Sequence, residues 1–97
     1  MNNLGYTNFF MISAAQCRAA RALIEISQDD LAAASGVSKA SITDFERGLR
    51  APQKRTLRDL LAAFEARGVV FHRDEEQGLI GVSLKTAVGQ GSAYAST

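Results

Sequence analysis

The chain has 97 residues, enough for one small domain and too few for a two-domain enzyme. It is 46% hydrophobic, 7% aromatic and 22% charged with a net charge of +1, an ordinary globular balance that excludes disorder throughout. A core this small must be well patterned or gain burial from a partner subunit. The single cysteine, Cys17, excludes an intrachain disulfide and a cysteine-rich zinc site, fits a reducing cytoplasm, and reads as a small buried apolar residue. The apolar run Phe9-Phe10-Met11-Ile12 is far shorter than the roughly 20 residues of a membrane span, so the expectation is a cytoplasmic protein with no membrane partner.

Residues 1–12 show no cap and no period and are read as an N-terminal extension. Phe9 and Phe10 could join the core, make a dimer contact, or belong to a leader ahead of a start at Met11. Ser13 is an N-cap for a first helix over 14–25, rich in alanine. Ser27, with Asp30 in the capping-box position, opens a second helix over 28–35 that Gly36 ends. Ser38 opens a third over 39–47, with Ile42 and Phe45 on one face and Gly48 after it. Beyond Pro52 a fourth helix starts between residues 53 and 56 and runs to 67, with Leu57, Leu60, Leu61 and Phe64 as its buried stripe.

Past Gly68 the period changes from helical to alternating. Residues 69–71 and 79–84 flank a charged loop over 73–78, which predicts a β-hairpin that must pack on the helices or join another chain. The tail, 86–97, is Gly, Ser, Ala and Thr and is expected to be disordered. The domain reading is therefore 1–12 extension, 13–67 helical domain, 68–85 hairpin and dimerisation element, and 86–97 tail.

The second and third helices, joined by a short turn containing Gly36, form a helix-turn-helix arrangement. Leu31, Ala32, Val37, Ile42 and Phe45 make the apolar seam that sets their crossing angle, so the start of the third helix can enter a DNA major groove. With Ile42 and Phe45 inward, Ser38, Lys39, Ala40, Ser41, Thr43 and Asp44 are the candidate base contacts. Lys39 suits guanine O6 and N7, Ala40 a thymine methyl, and Ser41 or Thr43 a base or a phosphate. Asp44 either accepts from cytosine N4 or repels phosphates in wrong registers.

Gln28 sits where a helix N-terminus favours a phosphate. Arg47, Arg50, Lys54, Arg55 and Arg58 follow without an intervening acid, and of these Arg47, Arg50, Lys54 and Arg55 are the candidate phosphate contacts.

The residues Gln28, Leu31, Ala32, Gly36, Val37, Ser38, Ile42, Glu46, Gly48 and Pro52 stand in a register that resembles the Cro/CI-type helix-turn-helix repressors, the XRE family. The resemblance covers about 13–67 and implies a mainly α, lambda-repressor-like bundle of four to five helices, here followed by a C-terminal β-hairpin. It implies a sequence-specific transcriptional regulator of double-stranded DNA, and a repressor. If the hairpin mediates a homodimer, the operator is expected to be a pseudo-palindrome with half-sites about one helical turn apart. The resemblance also makes Gln28 similar to the family's backbone-clamping glutamine, and Arg21 and Glu46 a structural ion pair. The alternative is an antitoxin or anti-activator working through a protein partner. The pairing of Lys39 with the basic cluster on one side favours DNA.

No enzyme is read from the sequence, and no cofactor or metal. His72 has no cysteine or carboxylate arrangement around it and reads as a surface residue. Asp74-Glu75-Glu76 lacks calcium-loop spacing, and no Gly-rich phosphate loop occurs.

Overall fold

Three of the four helices among the described residues begin where a serine satisfies free backbone N–H groups. The structure is a computed structural model describing residues 12–86. Its elements are α1 (Ala14–Ile24), α2 (Gln28–Ser35), α3 (Lys39–Glu46), α4 (Lys54–Glu65), β1 (Val69–Asp74) and β2 (Leu79–Leu84). Ser13, Ser27 and Ser38 accept hydrogen bonds from the N–H groups of Gln16, Asp30 and Ser41. Gln16 and Asp30 return the bond to the serine N–H, closing two capping boxes. Those bonds hold the Asp30 carboxyl below the usual carboxylate range.

α2 ends where expected, at Ser35, while α1, α3 and α4 end one or two residues earlier than the sequence suggests. Glu25 leaves α1 by turning left-handed, with φ 59°, while Gly36 does the same after α2 without the steric cost of a Cβ. Arg47 caps α3, and α4 gives way at Ala66 to a turn that leads into β1.

The core gathers one face from each element. Leu31, Val37, Ile42 and Phe45 close the α2–α3 corner, with Ala32 partly buried beside them, and Leu57, Leu60, Leu61 and Phe64 fill the centre from α4. Ile12, expected in the N-terminal extension, belongs instead to this core at 5% exposure, because the residue just ahead of the Ser13 cap packs with the buried cluster. Phe9, Phe10 and most of the expected disordered tail lie outside the described residues.

The hairpin is a two-stranded antiparallel sheet with Val69 opposite Leu84 and Asp74 opposite Leu79. Its strands extend to Asp74, one residue beyond the start of the expected loop, so the turn is confined to 75–78. There Asp74 Oδ1 accepts from Gln77 N at 3.1 Å and Gly78 takes φ 70°. Val69 and Phe71 are buried, and Phe71 meets Phe64 edge to face with centroids 5.6 Å apart. Burial of these two side chains contributes about 2 kcal/mol each.

The hairpin therefore packs on its own helices: α1 lies against both strands and α4 against β1. A polar clamp joins the apolar contact. Gln16, buried in α1, donates from Nε2 to the carbonyl oxygens of His72 (3.2 Å) and Gly81 (3.0 Å), which are partners across the sheet. Among the described residues no helix is long and apolar enough to cross a membrane.

Candidate nucleic-acid interface

The interface rests on α3, and α3 is held by its last residue. Glu46 is 3% exposed and its carboxylate accepts four hydrogen bonds. Arg21 reaches it bidentately, Nη2 to Oε1 at 2.7 Å and Nε to Oε2 at 2.8 Å. Gln28 Nε2 adds a bond to Oε1 at 3.0 Å, and the Cys17 thiol donates to Oε2 at 3.2 Å. Arg18 donates to the Glu46 main-chain oxygen, and Arg21 Nη1 to the oxygen of Ile26. One buried carboxylate thus ties α1, the first residue of α2 and the end of α3 together.

The electrostatics follow from that arrangement. Burial pushes the Glu46 carboxyl up, but the bonds from Arg21, Gln28 and Cys17 outweigh it, so the group lies below the usual glutamate value. The Arg21 guanidinium is raised by the same contact. Burial, reinforced by the neighbouring carboxylate, drives the Cys17 thiol far above its ordinary range, so it is a neutral donor here.

With this end of α3 anchored and Ile42 and Phe45 in the core, the opposite face is presented outward. Ser38, Lys39, Ala40 and Ser41 are exposed, while Thr43 and Asp44 are half-buried. The Ser38 hydroxyl donates to Ser41 Oγ (3.0 Å) while capping the helix. Lys39 Nζ lies 3.4 Å from Asp29, with both side chains mostly in solvent, a contact that costs little to give up. Thr43 Oγ1 donates to Gln28 Oε1 at 2.8 Å.

An open groove of about 530 Å³ separates this face from the α3–α4 loop, with Ala40, Ser41 and Asp44 on one wall and Arg50 and Gln53 on the other. Arg47, Arg50, Lys54 and Arg55 are exposed along that loop and the first turn of α4. The turn has neither an acidic residue nor a side-chain cap from Gln53, unlike the serine-capped starts of α1, α2 and α3.

A family model described as a helix-turn-helix matches residues 18–67, a little over half of the 97. The chain belongs to the Cro/CI-type, or XRE, helix-turn-helix family. It is a DNA-binding transcription regulator built on the lambda-repressor-like fold, with four helices and a C-terminal hairpin among the described residues. The match spans α2, α3 and α4 and most of α1, and stops before the hairpin. No match was found among curated proteins.

Three side chains of this XRE-family regulator escaped the sequence reading. Gln16 carries a periodic apolar position's burial with a polar side chain, which composition does not flag. Cys17 is the small buried residue the sequence predicts, but it also donates a hydrogen bond to Glu46, which the sequence does not signal. Arg18 sits on α1 with nothing local to distinguish it from Arg21. His72 is exposed, as read, with Nε2 2.6 Å from Ser83 Oγ.

Proposed function

We propose that this regulator is a repressor that binds a pseudo-palindromic operator as a homodimer, with the start of α3 in the major groove of each half-site. Ser38, Lys39, Ala40, Ser41 and Asp44 face the bases, with Thr43 at the margin towards α2. Gln28, Arg47, Arg50, Lys54 and Arg55 face the phosphates. The observation that carries the reading is the continuity of one surface: the exposed start of α3 runs across the groove into exposed cations and the acid-free first turn of α4. A helix N-terminus flanked by Lys54 and Arg55 suits a phosphate through both its N–H groups and its dipole. Repression needs only occupancy, because a protein seated in the groove excludes others from that stretch of promoter.

Dimerisation is assigned to the hairpin, where Leu79 and Ile80 are 56% and 49% exposed beyond the helices. A two-fold dimer would place half-sites about one helical turn, roughly 34 Å, apart. Because Val69 and Phe71 are core residues, removing the hairpin would unfold the domain, so the informative variants are Leu79→Lys and Ile80→Glu. Sedimentation equilibrium should show a dimer for the parent and a monomer for these variants; a dimer unchanged by both would refute the hairpin assignment.

The test of operator reading is a binding titration on the DNA upstream of the protein's own coding sequence at two salt concentrations. Lys39→Ala should relax base preference by about 1–3 kcal/mol. Arg50→Ala should weaken all sequences alike and reduce the salt slope by about 1. Binding no tighter than to an unrelated duplex would overturn the operator assignment and turn the search towards a protein partner.

A further inference from the structure

Glu46, Gln28 and Thr43 are joined by hydrogen bonds whose direction is not optional. An ionised carboxylate can only accept, so Gln28 must turn its amide nitrogen, not its oxygen, towards Glu46 Oε1. The amide oxygen then faces Thr43, and across 2.8 Å the threonine hydroxyl has to be the donor. A polarity set at a buried carboxylate is thereby passed to two partly exposed side chains on the α2–α3 surface. Gln28 keeps its second amide N–H. Thr43 has spent its only hydroxyl proton and retains two acceptor lone pairs and a methyl group.

Phosphate oxygens accept hydrogen bonds and never donate them, so only one of the two amide orientations of Gln28 can serve a DNA backbone. The flipped amide would set its oxygen against the phosphate. Glu46 enforces the useful orientation from one side and Thr43 from the other, at the first residue of α2, where the helix dipole already favours an anion. We propose that Thr43 is a positioning residue, which holds the Gln28 amide with its free N–H towards a DNA phosphate and donates no hydrogen bond to DNA itself. The inference rests on the DNA-binding reading above and deepens it, since it gives Thr43 a role through Gln28 in place of a donor contact of its own.

The experiment uses the full chain and a fluorescent random-sequence duplex of about 25 base pairs, because phosphate contacts act without regard to sequence. Anisotropy titrations at two salt concentrations compare the parent with Gln28→Ala, Thr43→Val, Thr43→Ser and the Gln28→Ala/Thr43→Val double variant. Thr43→Val keeps the shape and removes the hydroxyl, and should weaken binding about 5-fold, the value of one hydrogen bond. Thr43→Ser restores the donor and should restore binding. In the Gln28→Ala background, Thr43→Val should add no further loss. The salt slope should stay constant across the set, because a neutral contact releases no counterion.

A loss from Thr43→Val of the same size in both backgrounds would mean that Thr43 contacts DNA directly, and would overturn the proposal. So would full binding by Thr43→Val in the parent background. A readout free of DNA guards against misfolding: the Gln28 side-chain amide resonances, two protons that slow C–N rotation keeps distinct in every variant, should hold the same shifts in the parent and Thr43→Ser and move towards free-glutamine values in Thr43→Val, which lacks the bond to the amide oxygen. Indistinguishable Gln28 signals in parent and Thr43→Val would overturn it too. A parent that binds no duplex at low salt would instead remove the DNA-binding reading, and this inference with it.

Discussion

Removing Arg21 should damage the protein more than its position near the surface suggests. In Arg21→Ala the carboxylate of Glu46, 3% exposed, loses both guanidinium bonds and keeps only those from Gln28 and Cys17. Breaking one side of a buried pair costs about 3–5 kcal/mol. The two surviving donors place the expected loss near the lower end, about 3 kcal/mol, a large share of the total stability of a small domain. Urea denaturation followed by circular dichroism measures it, and its pH dependence identifies the cause.

In the parent the folded carboxyl lies below its unfolded value, so its stabilising contribution is present above the ordinary glutamate range and is lost as pH falls through the depressed folded value. In the variant the burial that raises the group remains while its main opposing partner is gone, so the folded value rises above the parent's and protonation costs the variant less. The stability gap should therefore be widest at neutral pH and narrow towards pH 4. The Arg21→Met/Glu46→Gln double variant should recover most of the loss, because no buried charge is left unpaired. A gap that is constant between pH 7 and pH 4, or a double variant as weak as the single, would refute the charge argument and assign the loss to packing.

Two further outcomes are expected. Gln16→Leu should detach the hairpin from α1, costing about 2 kcal/mol as the His72 and Gly81 carbonyls lose their shared donor, with amide exchange accelerating first in β1 and β2. Uniform acceleration over α2 to α4 would show that Gln16 is not a local tie. Native Cys17 should resist thiol reagents at neutral pH and be modified only at the rate of unfolding, since it is fully buried and its thiol is pushed far up by that burial. Rapid modification under native conditions would contradict the buried Cys17–Glu46 contact.

The helices were legible in the sequence because their signals are local. Serine at 13, 27 and 38 and glycine at 36 and 48 act within three or four residues of where they stand, and the chain obeys them to within one or two residues. The α2–α3 seam was legible for the same reason, since Leu31, Ala32, Val37, Ile42 and Phe45 lie within a single supersecondary unit. Arg21 and Glu46 came within reach only through family resemblance, as nothing in a spacing of 25 residues announces a pair.

Tertiary structure alone decided the rest. Gln16 meets backbone groups 56 and 65 residues away, and Cys17 and Arg18 meet Glu46 at 29 and 28, distances over which periodicity carries no information. Whether the hairpin packed on its own helices or waited for another chain was equally undetermined by alternation, which specifies a buried face without saying what buries it. The polarity of the Thr43–Gln28–Glu46 series has the same origin. Sequence supplies groups that can donate or accept, but only their placement around one buried carboxylate forces each of them to do one or the other.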